Sequence, residues 1–189
     1  LEGLYVENGV DYVGFVGRLE HGKGWNTFLE AIYLLKKEQK FKNKKVIIVG
    51  NGVQYNAFNQ LINKYNLEKD VIHIKSLPQD KLPALYNILS VFCFPTERKA
   101  ESLGLVALEA LSCGIPVIAS DYAAPKYYIK DGFNGFKFER GNARSLANKL
   151  EYFFNLPNET KKILRKNAFN SSSVFYTDNI RDQLENIFK

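Results

Sequence analysis

Apolar residues recur along this chain with two alternating periods. Short runs of four or five mostly apolar residues alternate with longer segments in which apolar positions return every three or four residues. The short runs predict strands at 12–16, 45–49, 71–75, 91–94, 116–119 and 135–138. The longer segments predict helices at 25–37, 54–65, 81–87, 103–112 and 143–154.

The order of these elements indicates the fold class. Strands that alternate strictly with helices, with glycine and proline at the crossings, are typical of a parallel sheet covered by helices on both faces. We therefore predict an α/β fold, a Rossmann-like doubly wound parallel sheet of about six strands with flanking helices. Ligands of such sheets bind beyond the carboxyl ends of the strands, so the loops there are the candidate sites.

The whole chain, 1–189, is predicted to form one domain. Its 46% hydrophobic and 14% aromatic residues suffice for a single core. Residues 158–189 show no strand signal and predict a helical tail, with helices at 159–169 and 176–188 separated by a polar break at 170–173. No run reaches the ~18 apolar residues of a membrane span, and the first residues lack the pattern of a signal peptide.

Two glutamates around a predicted helix start give the strongest chemical signal. Glu101 and Glu109 stand eight residues apart. This spacing corresponds to ~12 Å along a helix axis, about the span from a sugar to the ribose of its nucleotide. Gly104 lies between them, where a helix N-terminus offers free N–H groups and the positive end of its dipole to a diphosphate. One helix could therefore hold sugar, diphosphate and ribose.

A plainer interpretation of the same stretch is a core stripe with two solvated glutamates. The apolar positions at helical spacing are Leu103, Val106, Ala107, Ala110 and Leu111. The apolar runs at 91–94 and 115–119 favour the first interpretation, because a strand-loop-helix-strand unit is what a parallel sheet requires.

Several motifs occur in the order and spacing of a known family. They are Val16-Gly17-Arg18-Leu19 followed by Lys23-Gly24, Gly50-Asn51-Gly52, Pro95-Thr96, the runs 101–105 and 109–120, and Asp131-Gly132 with Asn134-Gly135. Over nearly its whole length the chain resembles the donor half of retaining glycosyltransferases of the GT-B fold, in particular the GT4 family. It departs from the pattern at 123–127, where many members have a glycine pair and a glutamate, and at Leu103, where phenylalanine is common.

The resemblance implies transfer of a sugar from a UDP-, GDP- or ADP-sugar donor to a glycan or lipid-linked acceptor. It implies catalytic roles for Glu101, Arg18 and Lys23. The nucleotide-sugar contacts that it implies are Gly17, Arg18, Lys23, Ser76, Leu77, Glu101, Ser102, Leu103, Gly104, Leu105 and Glu109. The implied reaction is a front-face substitution in which the leaving phosphate accepts the proton of the acceptor.

Each implied contact has a separate part of the donor as its partner. Glu101 would contact sugar hydroxyls, Glu109 the ribose hydroxyls, and the backbone N–H groups near Gly104 the diphosphate, with the base near 75–77. Arg18 and Lys23 would hold the leaving phosphate, and two fixed cations are suited to its growing negative charge. Their loop is rich in glycine but matches neither a Walker A nor a G-x-G-x-x-G motif.

In GT-B enzymes two Rossmann-like halves face each other across a cleft. The resemblance implies that this chain is the C-terminal, donor-binding half and that the N-terminal, acceptor half is missing, either because the chain is cut from a larger protein or because the enzyme consists of two chains. The fragment alone is then expected to be inactive, and the tail at 158–189 would cross back to the absent half.

Other titratable residues are interpreted as structural. His21 lies in a loop without an evident orienting carboxylate, and His73 lies in a strand. Glu97, beside Arg98 and Lys99, is interpreted as part of an ordinary charged loop. No D-x-D or histidine-rich cluster occurs in a suitable place, so we expect catalysis without a metal or cofactor.

The number of cysteines and the net charge limit which cellular compartment and which partners are consistent with the sequence. Two cysteines, Cys93 and Cys113, are too few for a disulfide framework and indicate a reduced, cytoplasmic protein. The 26 basic and 20 acidic residues give a net charge of +6. Solvated helix faces account for that charge, and peripheral attraction to anionic lipid at the inner face of the membrane is the sharper alternative. No nucleic-acid motif is present.

Two alternatives to a transferase stay open. One is a non-catalytic subunit that binds a nucleotide sugar, and the other is a nucleotide-sugar epimerase of the GT-B fold. A glycan phosphorylase is less consistent with the sequence, because we find no pyridoxal lysine motif.

Overall fold

The computed structural model describes residues 6–99 and 103–173. The strands are β1 (Asp11–Val16), β2 (Lys44–Val49), β3 (Val71–Ile74), β4 (Val91–Phe94), β5 (Val117–Ser120) and β6 (Gly135–Phe138). The helices are α1 (Trp25–Lys37), α2 (Tyr55–Lys64), α3 (Leu82–Tyr86), α4 (Leu105–Ser112), α5 (Pro125–Tyr128), α6 (Ala143–Phe154) and α7 (Asn158–Ser172). A turn of 3-10 helix, Gln79–Lys81, precedes α3.

The six strands form one sheet in the order β3-β2-β1-β4-β5-β6. Every neighbouring pair is parallel, so all carboxyl ends lie on one edge. The chain starts at β1 in the middle, runs to the β3 edge, and then returns to β4 on the other side of β1. Such a reversal opens a crevice at the carboxyl ends of the two central strands. The predicted fold class is confirmed.

Apolar side chains cover both faces of the sheet. One cluster joins alternate strand residues to α1, α2 and α6, with Phe28 and Phe58 fully buried in it. The second cluster joins the opposite strand residues to α3, α4 and α7, with Tyr86 and Phe92 at its centre. Burial on both faces explains why the strands consist of continuous apolar runs.

The predicted element boundaries agree with the structure to within one residue, except at the start of α4 and in the tail. Helix α4 begins at Leu105, two residues later than predicted, because Gly104 has a φ of 70° and a ψ of 54°. That left-handed conformation does not belong to a helix and is readily adopted by glycine.

The predicted polar break at 170–173 is wrong, because α7 continues to Ser172. Ser171 and Ser172 donate their hydroxyl protons to the carbonyls of Ala168 and Phe169, at 2.8 and 2.7 Å. Side chains that usually favour a turn therefore bond back onto the helix. The second predicted tail helix, at 176–188, lies outside the described residues.

The short helix α5 was not predicted from the sequence. Ala123, just before it, has a φ of 52°, which is unusual for a residue with a side chain. The family pattern has glycines in this segment. Glycine adopts the left-handed conformation at little cost, which explains why it is common there. Among the described residues no helix has the length and apolar character needed to cross a membrane.

Candidate functional site

The loop after β1 is held by backbone contacts with the loop after β2. The N–H of Gly17 donates to the carbonyl of Val49 at 3.0 Å, and the N–H of Leu19 donates to the carbonyl of Asn51 at 3.0 Å. A Cβ on Gly50 would lie 1.8 Å from the carbonyl oxygen of Gly17. The backbones approach so closely that only glycine fits there, which fixes the direction in which the β1 loop leaves the sheet.

The loop after β4 is attached to the same β1 loop. The N–H of Glu97 donates to the carbonyl of Gly22 at 2.7 Å. Thr27, in the first turn of α1, donates its hydroxyl proton to Oε1 of Glu97 at 2.8 Å. A Cβ on Gly24 would lie 1.8 Å from the carbonyl oxygen of Pro95. Glu97 was predicted to belong to an ordinary charged loop, but it joins the two loops.

Helix α4 begins between the last residue of β4 and the end of α5. A Cβ on Gly104 would lie 2.9 Å from the ring of Phe94 and 3.1 Å from the hydroxyl of Tyr128. Tyr128, at the end of α5, donates its hydroxyl proton to the carbonyl of Leu103 at 3.0 Å. The turn that starts α4 is thus held from both sides, and α5 helps to place it.

These elements enclose a cavity of about 310 Å³ that we call the cationic cavity. Its lining residues are Phe15, Val16, Gly17, Arg18, Lys23, Phe94, Arg98, Gly104, Leu105 and Val106. The structure therefore brings together the predicted site residues from the β1 loop and from the start of α4. It lies where the strand order reverses, at the carboxyl ends of β1 and β4.

The described lining of the cationic cavity carries three basic side chains and no acidic one. Arg18 forms an ion pair with Glu20 at 2.7 Å, with 74% of the arginine side chain exposed. Such an exposed pair contributes little free energy, so the guanidinium can exchange Glu20 for another anion. The guanidinium of Arg98 forms no hydrogen bond or ion pair with the described part of the chain. Together with the start of α4, these cations suit a multiply charged anion.

A second cavity of about 380 Å³ lies between α3 and α4, and we call it the apolar cavity. Its lining residues are Gln79, Leu82, Pro83, Tyr86, Leu103, Leu105, Leu108, Glu109, Ser112, Cys113 and Ser172. Leu105 lines both cavities, so they adjoin at the first residue of α4. Glu109 is the one carboxylate among these lining residues.

Glu109 has a fixed partner in the apolar cavity. Tyr86 donates its hydroxyl proton to Oε2 of Glu109 at 2.8 Å. Tyr86 is fully buried, and burial raises its pKa, as does the negative charge of Glu109. The raised pKa keeps the hydroxyl protonated near neutral pH, so it can donate to Glu109.

The remaining predicted site residues are not among the described lining residues of either cavity. Ser76 and Leu77 follow β3, and Leu77 packs against the second core cluster. Glu101 and Ser102 lie outside the described residues. Among the histidines, His73 bonds the carbonyl of Gly50 through Nε2 at 2.8 Å, and His21 lies beside the side-chain amide of Gln54.

Sequence reasoning missed two residues at this site. Arg98 was assigned to an ordinary charged loop, because a basic residue beside an acidic one gives no directional signal. Tyr86 fell in a predicted helix without further comment. A buried tyrosine needs a partner for its hydroxyl, so a tyrosine on a core face was a usable signal.

Another cavity, of about 460 Å³, lies at the opposite, amino edge of the sheet. Four of its charged side chains form two ion pairs, Lys36 with Asp70 at 2.6 Å and Lys45 with Glu7. Lys44 donates to the carbonyl of Lys42 at 3.0 Å. It lies away from the loops that follow the strands, and we assign no ligand to it.

A sequence model of the family described as glycosyl transferases group 1 matches residues 6–171. The chain belongs to this family. The match includes all six strands and the described lining of both cavities except Ser172, and the predicted membership of the family is confirmed.

Curated relatives extend well beyond the segment that matches. A D-inositol 3-phosphate glycosyltransferase from Corynebacterium aurimucosum is 28% identical over 93% of this chain and 42% of its own length. The capsular polysaccharide biosynthesis glycosyltransferase CapM from Staphylococcus aureus is 25% identical over 93% of this chain and 45% of its own length. The chain thus spans less than half the length of these two relatives.

Solved structures of other proteins share the fold of this chain. The C-terminal domain of a glycosyl transferase group 1 family protein, LpcC from Francisella tularensis, superposes with a TM-score of 0.75 at 22% identity, covering 87% of this chain and 85% of that domain. Alr3699/HepE from Anabaena, solved in complex with UDP-glucose, gives a TM-score of 0.82 at 24% identity, covering 95% of this chain and 48% of that protein. These likenesses support the Rossmann-like half of a GT-B structure.

Proposed function

We propose that this chain is the donor-binding half of a retaining glycosyltransferase that uses a nucleoside-diphosphate sugar. The observation that carries the proposal is the meeting of Arg18, Lys23 and the Gly104 turn in one cavity, next to a second cavity that holds Glu109. The anionic and hydroxyl-bearing parts of one donor would occupy adjoining sites. The solved complex of HepE with UDP-glucose supports this class of ligand.

In this proposal the diphosphate lies in the cationic cavity. Arg18 and Lys23 contact its oxygens, and the backbone N–H groups at the start of α4 add further donors. Charge accumulates on the diphosphate as the bond to the sugar breaks, so these fixed cations stabilise the transition state more than the bound donor. The protein then supplies the positive charge that a metal ion supplies in other transferases, and the proposed reaction needs no cofactor.

The nucleoside extends from the diphosphate toward the apolar cavity. Glu109 accepts hydrogen bonds from the ribose hydroxyls, and Leu103 and Leu105 cover the apolar face of the nucleoside. The base reaches the backbone near Ser76 and Leu77. A donor with UDP, GDP or ADP would satisfy the same ribose and phosphate contacts.

Glu101 is proposed to contact the hydroxyls of the transferred sugar. The bond between the anomeric carbon and the phosphate oxygen breaks while the acceptor oxygen bonds to the same carbon from the same face. The acceptor hydroxyl gives its proton to the leaving phosphate oxygen, so the products are the glycoside and the nucleoside diphosphate. The glycan or lipid-linked acceptor would be bound by a second half, as in enzymes of about twice this length.

Titration of the purified chain with UDP, GDP, ADP and CDP, each beside its nucleoside, tests the proposal. Arg18→Ala and Lys23→Ala each remove a contact with a charged group of ~1.5–3 kcal/mol, so diphosphate affinity should fall roughly ten- to a hundredfold. Nucleoside affinity should change little. Lys37→Ala is the matched control, since Lys37 is exposed at the far end of α1.

Two results would contradict the proposal. One is the absence of binding to all four diphosphates by the folded chain. The other is an equal loss of nucleoside and diphosphate affinity in the Arg18 and Lys23 variants, which would indicate a folding defect.

A second test addresses the half-enzyme aspect of the proposal. The chain alone should bind donor but transfer no sugar, and addition of the acceptor-binding half should give activity. In that assembled enzyme Glu101→Ala should lower kcat more than donor affinity, because its contact is strongest in the transition state. Transfer by the 189 residues alone would overturn the half-enzyme interpretation.

A further inference from the structure

We propose that Tyr86 is a positioning residue that orients the Glu109 carboxylate for the hydroxyls of the nucleotide ribose. The juxtaposition that carries the inference is a fully buried tyrosine hydroxyl, 2.8 Å from one oxygen of a half-buried carboxylate in the wall of the apolar cavity. The inference rests on the proposed function, because it requires a nucleotide in this site.

The ring of Tyr86 is fixed by packing. It lies at the end of α3, is 0% exposed, and meets the ring of Phe92 edge to face with centroids 5.6 Å apart. A ring held in this way leaves its hydroxyl little freedom, so the proton is presented to Glu109 from a fixed point. Tyr86 therefore restricts the rotamers of Glu109 before any ligand binds.

The two oxygens of Glu109 have different surroundings. Oε2 accepts from Tyr86, whereas Oε1 has no hydrogen bond or ion pair with residues 6–99 or 103–173. A carboxylate with one oxygen occupied and the other available is suited to a pair of neighbouring hydroxyls. Fixing it in advance lowers the entropy lost when the ligand binds.

The test compares a ribonucleotide with an analogue that lacks the hydroxyls. UDP, GDP and ADP are titrated first, and the tightest binder is then measured beside its 2′,3′-dideoxy form. Tyr86→Phe should lower ribonucleotide affinity about five- to tenfold and leave the dideoxy affinity unchanged, as for loss of a hydrogen bond to a charged group. Tyr12→Phe is the matched control: Tyr12 is 1% exposed in the same core cluster, and its hydroxyl accepts from the N–H of Glu7.

The ratio of the two affinities separates positioning from folding, since a general loss of stability would lower both alike. Glu109→Gln should reduce the same ratio, and adding Tyr86→Phe to it should have no further effect. An unchanged ratio in Tyr86→Phe, or additive effects in the double variant, would overturn the inference. So would an unchanged ratio in Glu109→Gln. If the wild-type chain binds neither these three diphosphates nor CDP, the proposed function itself fails.

Discussion

The cationic cavity and the apolar cavity share Leu105 but are built by different means. The first is formed by loops whose backbones approach within contact distance, at Gly24 against Pro95 and at Gly50 against Gly17. The second is formed by the side chains of two helices that pack on the second core cluster. The basic side chains are therefore brought together by the geometry of the loops, whereas the apolar surface is provided by the packing of the helices.

This difference decides how each cavity responds to substitution. A cavity formed by close backbone contacts cannot absorb an added methyl group, because a backbone carbonyl cannot rotate away as a side chain can. A cavity formed by side chains can repack around a change of similar size.

Gly24→Ala should disrupt the cationic cavity most. The new Cβ would lie 1.8 Å from the carbonyl oxygen of Pro95, at a φ of 71° that disfavours any side chain. We expect a loss of at least ~3 kcal/mol of unfolding free energy, measured by urea denaturation.

Gly132→Ala is the control for that loss. Gly132 has a φ of 72° with nothing within 4 Å of the added Cβ, so it isolates the backbone cost. That cost should be ~1–2 kcal/mol. Equal losses in the two variants would show that the close approach to Pro95 contributes nothing.

Arg98→Gln should weaken binding of a nucleoside diphosphate by roughly tenfold, because one charge-assisted contact is lost. Lys99→Gln, at the exposed neighbouring residue that does not line the cavity, should change affinity less than about twofold. Calorimetric titration at two salt concentrations measures both. Similar losses of affinity in the two variants would mean that anions are attracted only by the net positive charge of this region and not by a specific contact with Arg98.

The two thiols should differ in reactivity. Cys93 is fully buried, whereas Cys113 is partly exposed in the apolar cavity. Burial raises the pKa of Cys113, and the Glu109 charge adds to this. Because a raised pKa leaves less thiolate at a given pH, Cys113 should react more slowly than a free thiol near neutrality, with a rate that keeps rising above pH ~8.5.

Mass spectrometry after treatment with a thiol reagent should show one modified residue in the folded chain. Cys113→Ser should abolish that modification. A bound nucleoside diphosphate should slow it further if the nucleoside covers the apolar cavity. Fast modification of both cysteines would show that the helices around this cavity open readily.

Elements with strong periodicity, including the first helix of the tail, could be predicted from the sequence, whereas the predicted end of that helix was wrong. The strands lie under helices on both faces, so they are mostly apolar, and their short runs stand out against the longer helical patterns between them. The serines near the end of α7 were misjudged, because the same hydroxyl that favours a turn can bond to the preceding helical turn. Nothing in local sequence distinguishes these two outcomes.

The candidate site likewise contains residues that the sequence predicted and residues that it did not. Arg18, Lys23 and Gly104 belong to motifs, and the structure brings them together as expected. Arg98 and Tyr86 contact neighbours that are distant in the sequence, because the side chain of Arg98 lies against Gly22 and the hydroxyl of Tyr86 donates to Glu109. Their positions follow from how β1, β4 and α3 meet in space, which local patterns do not encode.

Leu105 is the one residue common to the described linings of the two cavities, and it stands at the first position of α4. The helix backbone therefore places Glu109, about one turn further along α4, in a fixed relation to the Gly104 turn. In the proposed complex a diphosphate offers the cationic cavity more anionic oxygens than a monophosphate does while the ribose meets Glu109. A nucleoside monophosphate should therefore bind more weakly than its diphosphate.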